Sequence, residues 1–312
     1  MCLGARAHAS LRYPPRVSEP PALLLSLFQH AWGASLSELT KPSPGALVLP
    51  GGTADELAAA LAEAGLHEDA VFAALQRWLW SRNQFLELSE DSQAELAESV
   101  ERALHQLQAQ ADVASTLASH RDELAAFVQA HLGKSPREVV CAEYTPELQL
   151  QILGLGSVAL AEPVLDIGCG ESAGLVRFLR ARGVRAQGLD RAVRGELGFT
   201  ADWLSFPYEA HRPGTALSHQ GFSLHFLHHH LKPGDGAFAY ARAYMAILRA
   251  LLPGGRFVYT PGLPFLEDML DADLYRVQRV TFASELRVAS LRQIEAATGL
   301  SLSYATHVER VR

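Results

Sequence analysis

Apolar residues recur every three or four positions through the first part of the chain, the spacing of helices that bury one face. The run Pro21-Ala22-Leu23-Leu24-Leu25-Ser26-Leu27-Phe28, ending at Gln29-His30, reads as a first amphipathic helix. Thr53 and Glu56 stand at capping-box spacing, and Gly65 closes a short helix behind them. A helix from about Asp69 to Trp80 carries Phe72, Leu75 and Leu79 on one side. A long helical region then runs from about Ser92 to Leu132. Leu96, Val100, Leu104 and Leu107 form one stripe in it, and Val113, Leu117, Leu124 and Phe127 the next, until Gly133 and Pro136 stop it. Trp78 and Trp80 read as buried helix aromatics in preference to a stacking site for a ligand.

After Pro136 strand-like and helix-like segments alternate. Strands are expected at Pro163–Ile167, Val184–Leu189, Ala216–His219, Arg256–Thr260 and Leu302–Val308. Helices are expected at Ala173–Arg182, Ala237–Leu252 and Leu291–Ala297, the last closed by Gly299, and Pro253-Gly254-Gly255 makes a turn. Such alternation predicts an α/β domain, a mostly parallel doubly wound sheet with helices on both faces. The expected division is residues 1–140 as an all-helical domain and 141–312 as the α/β domain.

Composition narrows the class. At 312 residues, 48% hydrophobic and 20% charged, the chain reads as globular with a substantial core. A net charge of −7 argues against a nucleic-acid backbone as partner and favours a small molecule, a peptide or a protein. Three scattered cysteines, Cys2, Cys141 and Cys169, form neither a disulfide framework nor a zinc site and suit a reducing, cytoplasmic setting. No apolar run is long enough to span a bilayer, and Arg6, Arg12 and Arg16 ahead of the first helix are a poor signal peptide, so no membrane partner is expected.

The chemistry concentrates at Val164-Leu165-Asp166-Ile167-Gly168-Cys169-Gly170-Glu171-Ser172-Ala173-Gly174, an apolar strand entering a glycine turn that opens a helix. This is where a doubly wound fold holds a nucleotide-like cofactor. The spacing G-x-G-x-x-x-G departs from the dinucleotide fingerprint G-x-G-x-x-G. Asp166 ends the strand and Glu171 stands at the expected helix start, where a dinucleotide would place its pyrophosphate. Carboxylates there repel phosphate and favour a cationic cofactor. Asp190 follows Gly168 by 22 residues, at the end of a second strand, and can accept two ribose hydroxyls, with Arg191 beside it to cover the adenine; the other reading is a helix cap. Asp202 and Trp203 can accept the adenine amino group and stack on its ring, or form a surface turn.

Of 13 histidines, six lie between His211 and His230. His219, with Ser218 at the carboxyl end of a strand, and His228 are candidates for a general base. His225 and His229 have the i, i+4 spacing of a helical metal pair. The third reading is that these rings pack or cap. No metal is expected.

Together these residues resemble the class I S-adenosylmethionine-dependent methyltransferases. Val164–Gly170 is similar to that family's first motif, Gly188-Leu189-Asp190 to its ribose-binding acid and Ala201-Asp202-Trp203 to its adenine segment. Leu251-Leu252-Pro253-Gly254-Gly255-Arg256-Phe257 is similar to the turn before its fifth strand. The match spans about Tyr144 to Thr260, and it departs where the fourth strand lacks its usual acidic opening, at Pro213-Gly214-Thr215-Ala216-Leu217-Ser218. The resemblance implies a Rossmann-like seven-stranded sheet with a reversed last strand, S-adenosyl-L-methionine as cofactor, and methyl transfer to an O or N acceptor on a small molecule or peptide. It implies a cofactor set of Tyr144, Asp166, Gly168, Cys169, Gly170, Asp190, Arg191, Asp202, Trp203 and Ser218. The helical part matches nothing in that family and reads as a lid, a substrate-selecting domain or a homodimer interface. Rival readings are a non-catalytic cofactor- or partner-binding module on the same fold, and a nicotinamide-dependent oxidoreductase.

Overall fold

The computed structural model describes residues 20–41, 62, 67–109, 112–134, 136, 138, 144–156, 158–281 and 289–312. The expected Thr53/Glu56 capping box, Gly65, Cys2 and Cys141 lie outside them. The chain divides into two compact units, residues 1–142 and 143–312.

The first unit is helical among its described residues. Helices span Ala22–Trp32, Leu36–Leu39, Glu68–Arg82, Glu90–Gln108 and Val113–Leu132. The long helical region read from the sequence is thus two helices. Asp112 begins the second, its carboxylate accepting the Ser115 N–H at 2.7 Å, and Gly133 at φ +84° ends it. The two run antiparallel, because Ser92 reaches His131 (3.1 Å) and Ser99 reaches His120 (2.9 Å). Leu96, Val100, Leu104, Leu117, Leu124 and Phe127 enter one core with Leu24, Leu27, Phe28 and Trp32, and Trp78 and Trp80 pack against it. A polar chain crosses that core. Trp32 Nε1–H donates to His120 Nε2 (3.1 Å), and an indole N–H is only a donor, so the neutral ring carries its proton on Nδ1. That proton goes to Ser99 Oγ, and the Ser99 hydroxyl donates to Glu123 Oε2 at 2.6 Å. Burial pushes the His120 imidazole down to about 4.

The second unit is a seven-stranded sheet in the order β3-β2-β1-β4-β5-β7-β6. Its strands are β1 (Val164–Ile167), β2 (Ala186–Asp190), β3 (Gly198–Thr200), β4 (Thr215–His219), β5 (Arg256–Thr260), β6 (Tyr275–Thr281) and β7 (Tyr304–Arg310). Pairings from β3 to β5 are parallel, and β7 runs antiparallel to both neighbours. The doubly wound, Rossmann-like sheet and its reversed last strand are therefore as expected. Period-two alternation sorts the inner strands between two cores: Leu165, Ile167, Ala216, Phe257 and Tyr259 on one face, Val164, Leu217 and Val258 on the other. The short edge strand β3 and the edge strand β6, with its two arginines, were not located from the apolar pattern. The order reverses between β1 and β4, whose carboxyl ends open the crevice where such sheets hold ligands.

Candidate active site

Everything in this site belongs to residues 143–312. β1 runs out at Ile167 and the chain turns through Gly168 at φ +83° and Gly170 at φ +70°, a region that favours glycine. A Cβ on Gly168 would lie 3.1 Å from Trp203 Cζ3 and 3.2 Å from Gly221 Cα, so a side chain there would crowd both. A Cβ on Gly170 would meet nothing within 4 Å, so the turn presents bare backbone to open space. Asp190, at the tip of β2, holds this turn. Its Oδ2 accepts the Gly170 N–H at 3.0 Å and its Oδ1 the Ala192 N–H at 2.8 Å. A carboxylate has about four lone-pair directions, so accepting capacity remains.

Asp166 is 3% exposed in the centre of the sheet, opposite Gly188 and Leu217. Burial, and secondarily the Asp190 charge, push its carboxyl up to about 7. Burial also raises Asp190, against the backbone donors and Arg191, which favour its ionised form. Cys169 tucks its Sγ against Gly188, and burial raises its thiol far above the usual range, so it is no nucleophile.

Two expectations are corrected. The helix after the turn starts at Gly174, with Ala173 left-handed at its cap, so Glu171 is not at a helix terminus. It is exposed and pairs with Arg194 at 2.9 Å. Ser218 is fully buried; its hydroxyl donates to Ile167 O (2.8 Å) and accepts the Phe222 N–H (2.9 Å), so it ties β1 to β4 and has no surface to offer a ligand.

Trp203 lies half-buried against Gly168 and edge-on to Phe222 and His225, its Nε1–H directed to the Tyr240 hydroxyl at 3.3 Å. Asp202 accepts the Leu204 N–H at 2.9 Å. Arg191, also half-buried, adjoins Asp190. Tyr144 stands edge-to-face with His219 at 4.9 Å.

The histidines separate into two kinds. His211 stacks on Phe206 (4.6 Å), His225 meets Trp203 edge-on (5.0 Å), His229 stacks on Tyr240 (5.0 Å) and His230 on Phe265 (3.8 Å). His225 and His229 therefore engage different aromatics along their helix, Phe222–His230, and form no ligand cluster. Among the described residues the one metal-type cluster is Glu68, Glu101 and His105, in the helical unit. His228 sits edge-on to His229 at 5.4 Å, and burial, with Lys232 and His229, lowers it to about 4. His219 differs. It ends β4 opposite Thr260, its Nε2 is buried without a hydrogen-bond partner among the described residues, and burial lowers it to about 4.

One buried network escaped the sequence reading. Glu267 has a fully buried side chain whose oxygens accept from Leu263 N–H (2.6 Å), the Tyr259, Tyr304 and Thr306 hydroxyls (3.1, 2.8 and 2.7 Å) and Arg279 Nε (2.7 Å). It locks the loop after β5 to β6 and β7.

No protein-family model matches the chain, and no curated protein matches it. Solved structures similar to part of the chain include an rRNA methylase from Streptococcus thermophilus (13% identity, 55% of this chain and 100% of that one, TM-score 0.34). They also include the N-methyltransferase NodS from Bradyrhizobium japonicum WM9, in complex with S-adenosyl-L-homocysteine (16% identity, 53% and 86% covered, TM-score 0.35). The [4+2]-cyclase SpnF is similar at 15% identity, 53% and 78% covered, TM-score 0.35. Likeness of this degree carries no argument about activity; the strand order and the residues above have to carry it.

Proposed function

We propose that the chain binds S-adenosylmethionine at the β1–β4 crevice and transfers its methyl group to an oxygen or nitrogen acceptor on a small molecule or peptide. The observation that carries this reading is the pair of acids, Asp166 buried and Asp190 half-buried, flanking a glycine turn that opens onto free space. Two carboxyls raised by burial, Asp166 also by the Asp190 charge, make a site that gains by receiving a cation and loses by receiving a diphosphate. S-adenosylmethionine carries a sulfonium and an ammonium, and no phosphate. The donor set fits it. The free accepting capacity of Asp190 suits two ribose hydroxyls, the bare backbone at Gly168 and Gly170 suits the methionine end, and Asp202 with Trp203 suits the adenine.

When bound, the cofactor supplies an electrophilic methyl on a good leaving group. The chain's own contribution is then chiefly positioning, worth up to ~7–11 kcal/mol when two reactants are held in line. Tyr144 is assigned to covering the methionine end and His219, beside it, to facing the acceptor. His219 is uncharged at neutral pH, so its ring is available to receive a proton.

The test needs no acceptor. Mass spectrometry of the purified protein is expected to find S-adenosylhomocysteine, and calorimetry to show binding of S-adenosylmethionine and its demethylated product. Tight uptake of a nicotinamide dinucleotide with no heat from either sulfur compound would overturn the proposal. Binding without transfer to any acceptor would leave only a cofactor-sensing module.

A further inference from the structure

His219 narrows the acceptor, and the inference rests on the methyl-transfer reading. A buried imidazole nitrogen without a partner among the described residues is a cost to the fold that an O–H or N–H brought by a ligand removes. His219 occupies the carboxyl end of the central strand β4, in register with Thr260 of β5, and its ring is held edge-on by Tyr144 at 4.9 Å. Burial moves it down, to about 4, so the ring is a neutral and weak base.

That chemistry separates two acceptor classes. An aliphatic amine arrives as an ammonium of pKa ~10, like a lysine, and a base this weak cannot unmask its lone pair. A hydroxyl arrives neutral with a proton to share, and its oxygen becomes strongly acidic only as the new C–O bond forms, when a weak base suffices. We propose that the methyl acceptor is a hydroxyl oxygen, phenolic or alcoholic, whose O–H is received by His219 Nε2. The oxygen lone pair forms the C–O bond while the methyl–sulfur bond breaks. The electron pair of that bond stays on sulfur, which passes from sulfonium to neutral thioether, and the hydroxyl proton moves to Nε2 and from there to solvent.

The experiment uses the full chain, labelled with ¹⁵N-histidine and saturated with S-adenosylhomocysteine at pH 7, with binding confirmed by calorimetry. Phenol and then benzylamine are titrated in while the His219 Nε2 resonance is followed. The resonance is assigned with His219→Gln and independently with Tyr144→Leu, which removes the ring current beside it. Phenol is expected to shift the resonance upfield and saturably, with a dissociation constant at least ~10-fold below that of benzylamine, the ratio equivalent to about 1.4 kcal/mol. Failure of S-adenosylhomocysteine to bind would sink the methyl-transfer reading itself. Binding of S-adenosylhomocysteine followed by an equal response to both probes, or by none, would overturn the hydroxyl acceptor alone.

Discussion

Asp166→Asn separates a residue kept for binding from one kept for stability. The Asp166 carboxyl is fully enclosed and raised from its ordinary 3.8 to about 7. At about 1.4 kcal/mol per pH unit, the folded state disfavours the ionised form by up to about 4 kcal/mol. The folded value lies above the unfolded one, so the protonated form is the one folding prefers. Its contribution is whole below 3.8 and is lost as pH rises through about 7. By pH 5 roughly 1.6 kcal/mol is gone, and by pH 8 all of it, so wild type should lose about 2–3 kcal/mol relative to the asparagine chain between those conditions. Histidine titrations cancel in that difference because both chains carry them. Urea denaturation at pH 5 and pH 8 reads it directly: the midpoint of Asp166→Asn should gain on wild type by about 1 M, given a slope of about 2–3 kcal/mol per molar. S-adenosylmethionine should reverse the order at pH 8, stabilising wild type and leaving the variant nearly unmoved. Parallel midpoints at both pH values would refute the claim that this carboxyl is strained by burial, and equal cofactor stabilisation would refute its place in a cation site.

Four further outcomes follow from particular contacts. Asp190→Ala removes the acceptor of the Gly170 and Ala192 N–H groups and should weaken S-adenosylhomocysteine about 10–100-fold by calorimetry. His219→Ala should leave that affinity intact, and equal losses in both would refute the division of roles. Gly188→Ala would drive a methyl into Cys169 and should cost about 1–3 kcal/mol, most of it recovered by Cys169→Ala in the same chain; an undiminished cost in the double variant would contradict the packing. Glu267→Leu removes the acceptor of the Leu263 N–H and of the Tyr304 and Thr306 hydroxyls, leaves Arg279 with Asp268 alone, and should lower stability by about 3–5 kcal/mol in chemical denaturation, far more than a surface change of equal size. His120 is lowered in the fold from 6.5 to about 4, so its contribution is present above 6.5 and disappears as pH falls through 4. The helical unit should lose about 3 kcal/mol over that window by circular dichroism, and His120→Gln should flatten the loss.

The inner strands were legible because a strand buried on both faces is an apolar run with sharp ends, as Val164–Ile167 and Arg256–Thr260 are. Strand β6 was not, because Tyr275-Arg276-Val277-Gln278-Arg279-Val280-Thr281 buries little, and the Arg279 charge is answered by Glu267 and Asp268 from elsewhere in the chain. The break near Ala109 was hidden by strong helix formers on both sides, and only Asp112 marks it.

Spacing also misplaced charge. Glu171 looked like the group that repels a pyrophosphate, yet it is exposed and neutralised by Arg194. The charge that favours a cationic cofactor is instead that of Asp166, which lies inside the sheet with no ion-pair partner among the described residues. Histidine spacing fails for a related reason. His225 and His229 are four residues apart on one helix, but what each ring does is set by Trp203 and Tyr240, which belong to other segments. Among the described residues of this cluster, His219 has an Nε2 that the fold leaves buried and unpaired at a strand end. A polar atom enclosed at that cost, in the crevice where the strand order reverses, is what a site built for an incoming hydrogen-bond donor requires.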